Sequence, residues 1–493
     1  MNNQQCGFPR GKALGGTSVI NYMIYHRGNK RDFDKWAEAG NYGWSFDDVY
    51  PYYLKSERSS LEESPHHNRN GFLSVEYNRY RTVIADAFVK GHKTLGESEV
   101  DYNSGNQLGV SYLQANTLRG QRHSAYRSFL EPILQRKNLH IMLNTRGTKI
   151  LINPNTKVAY GVEYIRKNKK FKVMARKEVI ISSGTFNTPQ LLMLSGIGPK
   201  EDLERIKVPL IKDLPVGKLL YDHFQHLGPT VVLNTTGATL NTERMLTIGN
   251  IMKYLRGRGI MTLPGGVEAL SFLKFRDDGE PDIPDLELIL VSGGLQSDLG
   301  SGTRKGMKLN DELYYGTYKQ LEDVHIDAFT VLIMPFHPRA VGSLTLKDSN
   351  PFHWPKIYFN PFEYEEDVDM MLNGIKYVIK LIQTPAFQSL GARLHDVPLP
   401  SCASIHFGSD DYWRCAIRTI SSSLNHQVST CKMGPKTDPT AVVSPELKVH
   451  GIQKLRIVDC SIIPEAITAH TNAPSFMIGE KAADMIKKEW GAN

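Results

Sequence analysis

A strand that runs straight into a short helix constrains this chain more than any other feature. Residues 178–181 alternate as a β-strand does, Ser182, Ser183 and Gly184 follow, and after Gln190 residues 191–194 form an apolar run that reads as a short helix. Thr188 suits an N-cap, Pro189 the first helical position and Gly196 the C-terminal stop. A strand that feeds a helix through small residues is the layout in which open α/β sheets place their ligands. The pattern returns near the C-terminus. Residues 454–459 read as a strand, and from Pro474 onward a helix sets Ile478, Ala482, Met485 and Ile486 on one face. Ahead of the first unit, residues 139–143, 161–164 and 172–175 read as short strands separated by polar turns. The middle of the chain, 224–423, is mixed, with strands that look half-buried and alternating, as at 341–346. The organisation expected is one α/β domain, 1–223 with 424–493, interrupted by an insert at 224–423.

Composition narrows the functional classes. The 493 residues are 41% hydrophobic and 22% charged, ordinary for a globular protein, and long enough for two or three domains. No run approaches the roughly 18 apolar residues of a membrane span. The net charge of +8 comes from scattered lysines and arginines. The densest stretch, 166–176, alternates with Phe171, Val173 and Met174 and reads as the exposed face of a hairpin, so nucleic acid is not an expected partner. Five cysteines without paired spacing suggest neither a disulfide scaffold nor a zinc site, although a single bridge is compatible with them. Residues 1–5 carry no secretion signal pattern. The aromatic stretch that includes Trp36, Trp44 and Tyr53 needs a core to cover it.

Three constellations could carry chemistry. The first is the loop at 10–21, where Gly15 and Gly16 let a backbone approach a large ligand and Thr17 and its neighbours can donate to phosphate oxygens. A tight turn accounts for it equally well. The second is 183–199, with small residues at both ends of a short helix, which a purely structural helix does not require. The third is a pair of histidines, His426 and His470, 44 residues apart, the latter just before a helix start whose amides and dipole favour an electron-rich atom. Most of the 16 histidines must be structural or exposed, so the setting of His470 is what singles it out. No G-x-S-x-G elbow occurs, which removes a serine hydrolase.

In this order the three constellations resemble the glucose-methanol-choline oxidoreductase family. Residues 11–34 look like its first signature, 184–198 its second, and 426–434 with 455–486 its catalytic end. Residues 216–223 are similar to a further segment, with Leu219 where asparagine is usual, and 21–44 and 471–486 look most like the insect glucose-dehydrogenase branch. The resemblance implies an α/β fold, α+β overall. An FAD-binding, Rossmann-like domain would carry an inserted substrate domain built on an antiparallel sheet. It implies FAD as cofactor, a small-molecule alcohol or sugar as substrate, a quinone-like or other electron acceptor, an extracellular location and no metal. His426 would be the base that takes the alcohol proton, its pKa tuned near working pH, and His470 would hold the hydroxyl. Gly15, Gly16, Thr17, Asn21, Met23, Asp459, Cys460, Thr471 and Asn472 would contact the cofactor. Ile20 stands where some relatives attach the flavin through histidine, and Gly147 where valine often borders the adenine. The family's opening strand-turn-helix with G-x-G-x-x-G is not found here, so the chain is expected to start late, expose sheet edges and hold FAD weakly or not at all. The alternative expectation is a cofactor-less relative, kept as a binding or structural protein.

Overall fold

The computed structural model describes residues 6–300 and 302–491. Residues 1–5, read above for a secretion signal, lie outside them. The frame of the molecule is an eight-stranded antiparallel sheet. Its order is Arg393–Leu394, Thr230–Val232, Ala328–Pro335, Leu286–Val291, Val267–Leu273 and Gly109–Tyr112, with Phe224–His226 and Ser421–Ser423 joined off that path. These strands are not the half-buried kind expected. Every residue of Val267–Leu273 is buried, as are all but one each of Leu286–Val291 and Ala328–Pro335. Both faces are covered. One face packs a core that holds helices Val83–Thr94 and Glu365–Ile382, through Phe88, Ile375 and Val378. The other carries a small cluster around Phe272, Ile289, Met334 and Phe336, which leads toward the first part of the chain. The alternating segment at 341–346 does alternate, but as Ser343–Thr345 it pairs with Lys356–Tyr358 in a separate two-stranded ribbon.

A second core lies under the aromatic stretch, where Trp36, Trp44 and Tyr53 are buried with Leu192, Ile457 and Met477. Here Val179–Ile181 and Leu455–Ile457 pair in parallel although more than 270 residues separate them. Helix Gly184–Leu194 follows the first strand and helix Asn472–Glu489 closes the chain, with Ile478 and Ala482 buried as their spacing predicts. The hairpin of Ala159–Arg166 and Lys169–Met174 turns at Lys167 and Asn168, both in the left-handed region, and its second strand is exposed along its length.

Two expectations need correction. Residues 139–143 form no strand, and Ile141, Met142 and Leu143 are exposed, because no partner strand lies beside them among the described residues. Helix Gly184–Leu194 starts four residues before Thr188, so Thr188 is no N-cap and Pro189 lies inside the helix. Proline has no N–H to offer the carbonyl of Thr185 four residues back. The Thr430 hydroxyl donates to that carbonyl instead, at 2.7 Å. The proline thereby opens a place for the loop that carries His426.

Candidate functional site

His426 sits where two antiparallel strands end. Phe224–His226 pairs with Ser421–Ser423, and the Leu424 N–H donates to the His223 carbonyl, which sets His223 and His426 side by side. The Asp222 carboxylate accepts from the His426 backbone N–H at 2.9 Å, from Gln427 Nε2 at 2.7 Å and from the Ser423 hydroxyl. Burial raises this carboxyl to about 6 even against those donors and the Arg10 charge. Asn425, just before, takes a left-handed backbone that aims the following residue inward.

The ring of His426 has one hydrogen bond among the described residues, Nδ1 to Nδ1 of His223 at 3.0 Å, and His223 Nε2 lies 2.9 Å from the Phe336 carbonyl. A carbonyl oxygen only accepts, so His223 carries its proton on Nε2 and presents a lone pair at Nδ1. His426 must then donate from Nδ1, which leaves its Nε2 as a lone pair. Burial, and secondarily His337 and His470, hold His223 down at about 3, so this chain of donors stays intact through the physiological range. His426 itself lies well below the usual imidazole value. Burial is the largest cause, followed by the neighbouring imidazoles of His470, His223 and His26 and then Arg10. The expectation of a pKa near working pH is therefore corrected: the ring is neutral and available as a base well below neutrality.

His470 faces His426 edge-on, with ring centroids 4.7 Å apart. Its Nε2 is 3.1 and 3.2 Å from the two oxygens of Glu287, a fully buried carboxylate on the central strand Leu286–Val291. His26 completes the group. Its Nε2 accepts from Gln107 Nε2 at 2.5 Å, and its Nδ1 is buried without a hydrogen-bond partner. Ligating atoms of His26, Glu287 and His470 lie within 4.8 Å of one another, but the direct His470–Glu287 hydrogen bond satisfies that carboxylate without an ion.

The nine residues expected at the cofactor are each half-buried. Gly15 precedes the short turn Gly16–Val19, which includes Thr17. Asn21 accepts from Arg122 at 2.8 Å and from the Met23 N–H at 3.1 Å. The Met23 carbonyl receives the Asn116 N–H, and Asn116 Oδ1 receives Asn472 Nδ2 at 2.8 Å, so the first motif touches the last helix. Asp459 accepts from the Gly184 N–H at 3.0 Å and the Thr188 hydroxyl at 2.6 Å, which ties the second motif to the third. Cys460 Sγ lies 2.9 Å from Ser475 Oγ and donates to the Thr471 carbonyl at 3.7 Å. Gly16 and Gly184 have left-handed backbones, and a Cβ on either would meet nothing within 4 Å. Near them the Nε and Nη2 atoms of Arg10 are buried without partners, the guanidinium 4.5 Å from the Phe186 ring centroid. Open space beside two glycines and a buried unpaired cation fit a large ligand with an anionic part.

Sequence reasoning missed His26, Asp222, His223, Glu287 and Arg10. A signal existed for two of them. Glu287 is a lone charge in the apolar run 286–291, and His223 ends the segment 216–223.

The GMC oxidoreductase N-terminal family model matches residues 1–225, and the corresponding C-terminal model matches 338–479. Glucose dehydrogenase [FAD, quinone] of Drosophila melanogaster is 39% identical over 99% of this chain and 76% of its own length. Ecdysone oxidase of Bombyx mori is 32% identical over 98% of this chain and 71% of its own. The crystal structure of formate oxidase superposes with a TM-score of 0.83 at 26% identity, covering 97% of this chain and 84% of that one.

Proposed function

The chain belongs to the GMC oxidoreductase family, and from that premise we propose that His426 takes the hydroxyl proton of the substrate through Nε2 while His470 holds the same hydroxyl. It is an FAD-dependent oxidoreductase acting on CH–OH groups. FAD, when bound, supplies the acceptor for the hydride. The observation that carries the reading is the chain from the Phe336 carbonyl through His223 to His426, which fixes the lone pair on Nε2. Glu287 is a positioning residue, holding the His470 ring through Nε2.

We assign FAD contact to Gly15, Gly16, Thr17, Asn21, Met23, Asp459, Cys460, Thr471 and Asn472. Their partial exposure, the hydrogen bonds that link the three motifs, the open space beside Gly16 and Gly184 and the unpaired Arg10 nitrogens support that assignment. We divide the chain into a cofactor part, 1–223 with 424–493, and a substrate part, 224–423. A quinone-like acceptor is favoured because the Drosophila relative is named for one. An extracellular location is favoured by that likeness and by the Cys402–Cys415 disulfide, a bond that persists in oxidising compartments. No helix among the described residues is long and apolar enough to cross a membrane.

Reconstitution of the chain with FAD, followed by alcohols and sugars under anaerobic conditions, tests the reading. Bleaching of the flavin absorbance by at least one CH–OH compound is expected. Bound flavin that none of them bleaches would contradict it.

A further inference from the structure

A cavity of about 240 Å³ opens between the antiparallel sheet and the segment that includes Tyr22 and Ile24. Its position ties it to the histidine pair. Glu287, Ile289 and Val291 alternate along one strand and so share one face of the sheet. Glu287 holds His470, whereas Ile289 and Val291 line the cavity, and Ile289 lies opposite Leu332, another lining residue. Leu424, on the same wall, is two residues from His426.

The lining is apolar, with Leu227, Leu240, Ile289, Val291, Leu332 and Leu424 prominent. Its polar side chains are largely engaged by the protein. Asn241 accepts from the Glu243 N–H, Ser297 from the Gly294 N–H and Asp298 from the Gly302 N–H, and the Thr330 hydroxyl donates to the Leu227 carbonyl. Gln225 gives its amide N–H to Ser422, and its Oε1 is buried without a hydrogen-bond partner. Just past Met245, at the cavity edge, the surface continues apolar into solvent through the exposed Leu246 and Ile248. A sugar brings several hydroxyl groups that each lose water on burial and need a partner. This wall offers few.

We propose that the cavity takes an apolar alcohol, aliphatic or aromatic, with the hydroxyl carbon at the His426–His470 end and the hydrocarbon along the sheet, and that sugars are poor substrates. The proposal rests on the oxidoreductase reading above and narrows it. The substrate O–H proton passes to His426 Nε2, the carbon-bound hydrogen leaves with its electron pair to FAD, and the C–O bond becomes the carbonyl of an aldehyde or ketone. The alcohol is oxidised by two electrons and FAD is reduced by two.

The test uses the flavin-loaded full chain with an artificial dye acceptor and three probes: 1-octanol, benzyl alcohol and glucose. The proposal expects kcat/KM for 1-octanol or benzyl alcohol at least tenfold above that for glucose. It also expects Val291→Trp, which fills the cavity, to raise the KM for 1-octanol at least tenfold with flavin content unchanged. Glucose turned over as well as or better than both alcohols overturns the proposal while leaving the oxidoreductase reading in place. If no probe is turned over, calorimetry separates the two. Binding of 1-octanol with a negative heat-capacity change, lost in Val291→Trp, supports the apolar ligand and places the failure in the His426 base assignment, and absence of that binding overturns the proposal.

Discussion

At Phe336 the backbone oxygen receives the Nε2–H of His223, and the consequence passes through two rings to the reacting atom. His223 touches no substrate in this scheme. It fixes which nitrogen of His426 is free, as an orienting partner fixes the tautomer of a catalytic histidine in general. Replacing His223 by Ala removes that acceptor and lets the His426 proton sit on either nitrogen. A fall of about 10- to 100-fold in kcat is expected, smaller than the roughly 100- to 10,000-fold that a general base itself contributes, because the base is still present. His223→Asn, whose amide oxygen can accept from Nδ1, should recover part of the loss. A packing role alone would give equal losses in both variants, so steady-state kinetics on the pair decides the matter.

At the scale of elements, the helix Gly184–Leu194 and the His426 loop are joined because a proline leaves a carbonyl free. Thr430 donates to the Thr185 carbonyl, and the Thr185 hydroxyl donates back to the Gln427 carbonyl at 2.7 Å. Thr430→Val leaves a buried carbonyl unsatisfied and should cost about 1–3 kcal/mol, read as a lower urea midpoint. The elements themselves were largely legible. The strands at 178–181 and 454–459, the helix after Pro474 and the hairpin near 166–176 all follow from apolar period and turn residues. The helix start at Gly184 was not, because Thr188 and Pro189 form a fitting cap pair locally, whereas Asp459, 271 residues away, claims the Thr188 hydroxyl. The burial of the central strands on both faces was hidden for a similar reason. Alternation reports one covered face, and the second cover comes from segments far along the chain. The site divides the same way. His426 and His470 stood out by their settings, but His223 and Glu287 gain meaning only from partners more than 110 residues distant.

For the whole molecule, six buried histidines set the response to acid. His223 and His226 are held at about 3 and His92 and His123 at about 4, each mainly by burial, and His26 and His426 lie well below their usual value. Their folded pKa values are depressed, so below about 6.5 the unfolded chain binds protons that the folded chain refuses, and stability falls as pH falls. Each such group contributes up to about 1.4 kcal/mol per pH unit in that range. Some groups act otherwise, among them the carboxyls of Glu97, Glu268 and Asp367, which burial raises. Asp222, raised to about 6, takes up its proton in the folded state first and offsets part of the loss between pH 7 and 5. His67, raised to about 9 beside Glu57 and Asp101, is already charged in this window and changes little. Urea unfolding at pH 7 and pH 5 should therefore show a lower midpoint at pH 5, and an equal or higher midpoint would contradict the burial of neutral imidazoles.

His426 is the proposed base of a flavin-dependent alcohol oxidation. Turnover by flavin-loaded His426→Ala, measured beside the unaltered chain with the same dye acceptor and the same bound flavin, tests that most directly. The expected result is full flavin content with kcat reduced at least 100-fold. Unchanged turnover in that variant would contradict it.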